Sequence, residues 1–303
     1  MALDELIARA AKRVHEHAPF GARTTYRVGG TVRALLTLAS HADLDELGPA
    51  IVNCGLPLVV LGNGSNLLVA DGEHDVLGVH LVGSFLDLDW GDEGDAVLVS
   101  AGGGLDLPVA ARRLAGAGVV GFEWAVGVPG TFGGAAVMNA GGHGSDMAAC
   151  VLDVNVWRDG ARRTWTNKEL AFGYRTSALA PGGLVLGVRL HLGHGDADVA
   201  TEAIRAIVRW RREHQPGGAN AGSAFRNPDG DFAGRLIEAA GCKGLRVGSA
   251  QVSEKHANFL IADAGGSAND VYELGCTVQR RVEATSGVRL VSEHRFLGFD
   301  GEP

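Results

Sequence analysis

Residues 121–144, GFEWAVGVPGTFGGAAVMNAGGHG, set eight glycines among alanines and apolar residues with almost no charge. A flexible linker is polar and Gly/Ser-rich, whereas Phe122, Trp124, Val126, Val128, Phe132, Val137 and Met138 supply apolar surface that pins this segment inside a fold. Gly127, Gly130, Gly133 and Gly134 lack a Cβ. Main chain there approaches a ligand closely, adopts φ > 0 and lets successive N–H groups converge on an anion such as a phosphate or pyrophosphate. Close packing of small residues with no ligand is the competing reading. A second loop, GNGSN at 62–66, offers backbone donors together with the Asn63, Ser65 and Asn66 side chains. Its Gly-x-Gly is not a dinucleotide fingerprint, because Leu67 stands at the third glycine and no helix follows. No Lys-Ser/Thr follows a glycine as a Walker A loop requires. Phosphate binding by a different architecture is what remains.

The elements that must carry these loops follow from periodicity. Leu3, Leu6, Ile7, Ala10, Ala11 and Val14 predict an amphipathic helix over 3–17 that stops before Pro19. Residues 24–30 read as a strand-like run ending in a glycine turn, 34–38 as an apolar strand, and Ser40 as the N-cap of a helix over 43–54. A buried strand is expected at 58–61 and another strand at 67–69. The strand at 96–101 breaks at Gly102, Gly103 and Gly104, and Asp106 is expected to cap a helix over 107–117 with Pro108 in its first turn. Strands at 151–157, 163–165 and 184–192 lead to a polar boundary around 193–198. The helix at 199–213 carries Arg205, Arg209, Arg211 and Arg212 on what reads as a solvated face. Helices at 232–240 and 269–286 and a strand over 288–299 close the chain.

With 303 residues and 46% hydrophobic content, the chain has material for one large domain or two to three smaller ones. The net charge of −8 argues against nucleic-acid binding, which normally shows a basic excess. Cys54, Cys150, Cys242 and Cys276 show neither C-x-x-C pairing nor metal-ligand spacing, so reduced thiols are expected. His143, His256 and His294 form no H-E-x-x-H pattern, and no metal is expected. The start, MALDELIARAAKRVHEH, mixes acids and bases where a signal peptide needs an apolar core. No apolar run reaches the roughly 20 residues of a membrane span, so a cytoplasmic protein without membrane insertion is expected.

Seven ordered motifs then stand out: TTYRVGG at 24–30, VLGNGSNLLV at 60–69, GVPGTFGGAAVMNAGGHG at 127–144, FGYRTS at 172–177, GSAFRNP at 222–228, LIEAAGCKGLRVGSAQVSEKHANFLI at 236–261 and SEHRFLG at 292–298. Together they resemble the flavoprotein UDP-N-acetylenolpyruvoylglucosamine reductases of peptidoglycan synthesis, the MurB family, over nearly the whole chain. The AQVSEKHANF segment and the short chain are similar to the type II branch. Arg226 stands where lysine is usual, and His143 and Asp146 where the family often has Tyr and Glu.

The resemblance implies an α+β protein. Two FAD-binding subdomains of the vanillyl-alcohol-oxidase (PCMH) type, 1–78 and 79–197, would precede an α+β substrate-binding domain, 198–303, whose C-terminal strand carries Glu293. FAD would be held by Gly62, Asn63, Gly64, Ser65 and Asn66, and by Gly127, Pro129, Gly130, Thr131, Gly133, Gly134 and Asn139. The implied reaction uses NADPH to reduce FAD, then hydride from FAD to reduce UDP-N-acetylglucosamine enolpyruvate at C3. Arg175 matches the arginine that stabilises the enolate, Ser223 the proton donor to C2, and Glu293 the glutamate that hydrogen-bonds the enol. Arg226, Asn227, Lys255 and His256 are candidates for the substrate's diphosphate or carboxylate, since fork or point-charge donors suit phosphates, and Tyr174 is expected to line the same substrate pocket. No obligate protein partner is implied. Read singly, each residue has a plainer alternative: a surface ion pair for Arg175, a turn for Ser223, solubility for Glu293. Two other functions compete, a flavin oxidase or dehydrogenase acting on an alcohol and a silent FAD- or nucleotide-binding regulator.

Overall fold

A computed structural model describes residues 2–179 and 182–301. The secondary structure is mixed helix and strand, as an α+β chain requires. A four-stranded sheet runs in the order Val14–Pro19, Thr31–Leu38, Glu73–Leu81, Leu58–Val60. The helix at the start is shorter than periodicity predicts. It covers Ala2–Ala10, a 3-10 turn follows at Ala11–Arg13, Ala11 has a φ of 46°, and Val14 opens a strand. Branching at Cβ favours the extended backbone for Val14. Residues 24–30 form no strand. They follow the 3-10 turn Gly21–Arg23 as a compact loop, in which a Cβ on Gly30 would lie 1.8 Å from the Gly72 carbonyl oxygen.

The contacts divide the chain into two compact units assembled from interleaved segments: 1–16, 34–63 and 75–211 form one, and 17–33, 64–74 and 212–303 the other. The first contains a largely antiparallel six-stranded sheet. Its path is Ala161–Thr166, Val151–Arg158, Leu184–His194, Ala96–Gly102, Leu88–Glu93, and Val119–Val120 also pairs with Leu184–His194. Leu107–Gly116 and Phe132–Met138 are its inner helices, and their apolar faces close a core containing Phe122, Trp124 and Phe132. Phe122 and Phe132 are stacked with centroids 5.5 Å apart, each buried ring contributing about 1.5–3 kcal/mol. A second core lies under His41–Asn53, the helix that Ser40 begins with a full capping box. Leu58–Val60 is half-exposed, not the buried strand expected; only Leu61 after it is buried.

The second unit is built around the 19-residue helix Ala268–Ser286, N-capped by Ser267 and closed by Gly287 at φ 71°. Leu274, Val278 and Val282 on its inner face join a core with Tyr26, Phe225, Leu236 and Ile237. The helix also meets the antiparallel strands Arg246–Val247, Ala250–Val252 and Leu260–Ala262. The strand expected over 288–299 contracts to Arg295–Leu297, paired in parallel with Leu67–Val69, because Ser292 forms only an isolated bridge with Phe225. Glu293 therefore lies on the link before the strand and not on it. Among the described residues no helix is long and apolar enough to cross a membrane, and no group of three His, Cys, Asp or Glu could hold a metal ion.

Candidate active site

In the first unit the two glycine loops meet. A Cβ on Gly62 would lie 2.5 Å from Thr131 Oγ1, and Asn63 Nδ2 donates to Asp106 Oδ1 at 2.7 Å. Asp106 precedes the helix Leu107–Gly116 as expected, but its carboxylate makes no cap there; it is turned to Asn63. The expected convergence of N–H groups on an anion is not what Gly130, Phe132, Gly133 and Gly134 provide. Their N–H groups donate to Val128 O, Leu105 O, Gly103 O and Thr131 Oγ1. Gly133 lacks a side chain so that main chain can touch main chain, since its Cβ would stand 3.0 Å from Gly103 O. Gly134 is exposed and open beyond Thr131, and Pro129 is exposed. Arg211, expected on a solvated face, is half-buried and donates to the Gly127 carbonyl. Burial pushes its guanidinium pKa down.

Asn139 closes the helix Phe132–Met138 in the left-handed region at φ 41° and is 5% exposed. Its side chain is committed within the protein: Nδ2 donates to Asp146 Oδ2 at 3.2 Å and to Gly173 O at 3.0 Å, and Oδ1 accepts from Ala148 N–H at 2.9 Å. It thus holds a turn. That turn is the FGYRTS motif. Gly173 and Thr176 exchange backbone hydrogen bonds of 3.0 and 3.3 Å, and Ser177 Oγ ties the exit to Val137 O at 2.8 Å. Tyr174 and Arg175 form the tip, Tyr174 57% exposed and the Arg175 guanidinium 5.5 Å from its ring centre. Arg175 has a φ of 56°. Glycine is the usual occupant of that region, so the turn holds Arg175 in a backbone conformation that is unfavourable for an arginine.

The second unit brings Ser223 and Glu293 onto neighbouring segments. Glu293 N–H donates to Ala224 O and Arg226 N–H to Val291 O, both at 2.9 Å, so 224–226 and 291–293 run antiparallel around the Phe225–Ser292 bridge. Asn66 Nδ2 donates to Glu293 O at 3.0 Å, and Asn66 O accepts from Arg295 N–H at 2.9 Å. Asn66, placed by its motif at the cofactor, therefore anchors the main chain that carries Glu293. Gly64 has a φ of 59° and is seated against Thr24, and Ser65 beside it is half-buried. Ser223 follows Gly222, whose φ of 81° is supported by Asn220 Oδ1 accepting its N–H at 3.1 Å.

Among the expected substrate residues, Arg226 is half-buried, and its buried Nε has no hydrogen-bond partner among the described residues. Asn227 Oδ1 accepts from Ala233 N–H at 3.0 Å, Lys255 Nζ donates to Arg212 O at 2.6 Å, and His256 Nδ1 accepts from Asn258 N–H at 3.2 Å. The residue that motif reading passed over is Asn258, 3% exposed and bonded to Phe225 through both side-chain atoms. Its signal was present: an asparagine between Ala257 and Phe259 in an otherwise apolar run.

Residues 214–297 match the family model described as UDP-N-acetylenolpyruvoylglucosamine reductase, C-terminal domain, and residues 6–166 match that of the FAD binding domain. UDP-N-acetylenolpyruvoylglucosamine reductase 2 of Symbiobacterium thermophilum is 40% identical over 297 residues, 97% of this chain and 95% of that protein. The chain belongs to the UDP-N-acetylenolpyruvoylglucosamine reductase family. The reductase of a Synechococcus species is 41% identical over 298 residues, covering 95% of this chain and 94% of its own. The crystal structure of the family member from Thermus caldophilus superposes with a TM-score of 0.80 at 37% identity, covering 94% of this chain and 99% of that one.

Within this member of the UDP-N-acetylenolpyruvoylglucosamine reductase family, the motif that carries Glu293 also buries a titratable ring. His294 is 4% exposed and edge-on to Tyr26, with Nδ1 3.5 Å from the phenol oxygen. Burial pushes its pKa down to about 4. In the unfolded chain the same imidazole titrates near its ordinary value of about 6.5, so the unfolded state binds the extra proton between these values. The stability is present above about 6.5 and is lost as the pH falls towards 4, to the extent of about 3 kcal/mol. Urea unfolding from pH 7 to 4 should show this slope, and His294→Phe should flatten it; an unchanged slope refutes the assignment.

Proposed function

We propose that this chain is an NADPH-dependent flavoenzyme that reduces UDP-N-acetylglucosamine enolpyruvate to UDP-N-acetylmuramate. The observation that carries the reading is the pairing of 224–226 with 291–293, which sets Ser223 and Glu293 on adjacent segments of one unit. An FAD-containing oxidoreductase is what membership of the family and the FAD binding domain over 6–166 support. The proposed division places FAD on 1–78 and 79–197, in a fold of the PCMH type, and the substrate on 198–303.

The residues present fit the cofactor. Gly62, Asn63, Gly130, Thr131 and Gly134 cluster in the first unit, and Gly134 is exposed, with its N–H on Thr131 Oγ1. FAD, when bound, accepts hydride from NADPH and supplies it to C3 of the enolpyruvyl group.

The chain's own residues manage charge and the proton. Reduction at C3 leaves an enolate spread into the substrate carboxylate, and the Arg175 guanidinium offsets that charge. The Ser223 hydroxyl delivers the proton to C2, a task open to so weak an acid only because the enolate is strongly basic and the donor is fixed in place. The Glu293 carboxyl, one segment away, hydrogen-bonds the enol. Arg226, whose buried Nε has no hydrogen-bond partner among the described residues, is the strongest candidate for the diphosphate; Tyr174, Asn227, Lys255 and His256 complete the proposed substrate set. A cytoplasmic location and independence of any obligate protein partner belong to the same reading.

The test is anaerobic spectroscopy of the purified protein. Yellow flavin bleached by NADPH and restored by UDP-N-acetylglucosamine enolpyruvate is the expected result. A protein that stays colourless with added FAD overturns the reading, and flavin that bleaches without being restored by that substrate assigns the chain another acceptor.

A further inference from the structure

The polar groups of Asn258 converge on one short segment. Its main-chain oxygen accepts from Ala224 N–H at 2.8 Å, its Oδ1 accepts from Phe225 N–H at 3.0 Å, and its Nδ2 donates to Phe225 O at 2.8 Å. The side chain does what a neighbouring strand would do, pairing both backbone groups of Phe225. On the opposite edge, Ala224 O accepts from Glu293 N–H at 2.9 Å and from Ser292 Oγ at 3.3 Å. Residues 224–226 are therefore gripped from two sides.

Ser223 sits at the free end of this grip. Before it comes Gly222, at φ 81°, whose N–H is accepted by Asn220 Oδ1 at 3.1 Å, while no heavy atom lies within 4 Å of where its Cβ would stand. After it comes Ala224, whose N–H is held by Asn258. The backbone on the C-terminal side of the serine is thus held by Asn258, and that on its N-terminal side by Asn220. Asn258 is itself fixed before any ligand arrives: its N–H donates to His256 Nδ1 at 3.2 Å, and the His256 ring lies edge-on to Phe259 with centroids 4.9 Å apart. Ser253 Oγ accepts from both Lys255 N–H and His256 N–H, closing the loop that presents the asparagine.

We propose that Asn258 is a positioning residue for proton delivery: by holding Ala224 and Phe225 it fixes where Ser223 presents its hydroxyl. This rests on the assignment of Ser223 as the proton donor. Placement errors near 1 Å cost about a hundredfold in rate, and a buried amide left without its partners loses local order. The effect is confined to the half-reaction that uses the serine.

The test uses the flavin-loaded enzyme and two variants, Asn258→Ala and Asn258→Leu, the second refilling the volume. Flavin content and the rate of bleaching by NADPH should stay within about twofold of the unmodified protein, while reoxidation by UDP-N-acetylglucosamine enolpyruvate slows by about ten- to a hundredfold. Hydrogen exchange measured on a peptide spanning 222–228 should accelerate about tenfold or more, with peptides of the first unit unchanged. An unaltered reoxidation rate, unaltered exchange, or a parallel loss of flavin and of both half-reactions in both variants overturns the proposal; the last would make the asparagine a general support of the unit. Ser223→Ala, measured alongside, separates the two claims. If that variant reoxidises normally, the donor assignment fails and the clamp's role with it. If it is slow while both Asn258 variants are normal, only the clamp fails.

Discussion

A Ser223→Ala protein stays yellow, is bleached by NADPH at the unmodified rate, and regains its colour with UDP-N-acetylglucosamine enolpyruvate about 10²–10⁴ times more slowly, the range that a positioned general acid supplies. The selectivity follows from where the hydroxyl acts. Transfer of hydride from NADPH needs no proton at C2, whereas product formation does. Folding should tolerate the change, because Ser223 is half-buried and the neighbouring backbone is held by Asn258, Ser292 and Glu293 and not by the serine oxygen. Stopped-flow traces of the two half-reactions decide the matter. Reoxidation within a few-fold of the unmodified protein removes Ser223 from the mechanism.

Arg175→Gly makes the second large effect, and here activity and stability part company. The residue has a φ of 56°, a conformation that costs a non-glycine residue on the order of 1 kcal/mol or more and that glycine adopts freely. Against this, glycine gives up about 0.5–1 kcal/mol through the entropy of the unfolded chain. The variant should therefore be about as stable as the unmodified protein. It loses the cation that offsets the enolate, a loss of about 10²–10³ in the reoxidation rate by comparison with other removed donors. Arg175→Ala is the control that isolates the strain: it lacks the cation but keeps the unfavourable backbone, and should unfold at lower urea than the glycine variant. An alanine variant more stable than the glycine one contradicts the strained turn, and a rapid glycine variant contradicts the role of Arg175.

Local signals served well where the structure depends on near neighbours. The capping box at Ser40, the glycine after the helix Ala268–Ser286 and the apolar alternation of Val151–Arg158 are each settled within a few residues. They failed where a distant partner outbid the local preference. Val14 has helical spacing but pairs in a sheet; Asp106 stands at a cap position but binds Asn63, 43 residues away; Arg211 has a solvated pattern but reaches Gly127.

Family and cofactor class were thus legible in the chain by itself, because ordered motifs carry residue types at fixed spacing, and the same motifs are the basis on which Arg175, Ser223 and Glu293 are proposed as the reactive positions. The tertiary structure alone decided how those positions are held. Glu293 is steadied by Asn66 across 227 residues, Ser223 through the grip of Asn258 on Phe225 across 33, and the Arg175 turn by Asn139 across 34 residues to Gly173. The glycines, too, found their use only in three dimensions, where Gly62 meets Thr131 and Gly133 meets Gly103. The reason is physical: periodicity and capping are short-range energies, whereas a buried amide or a missing Cβ has meaning only against the particular atoms that folding brings to it.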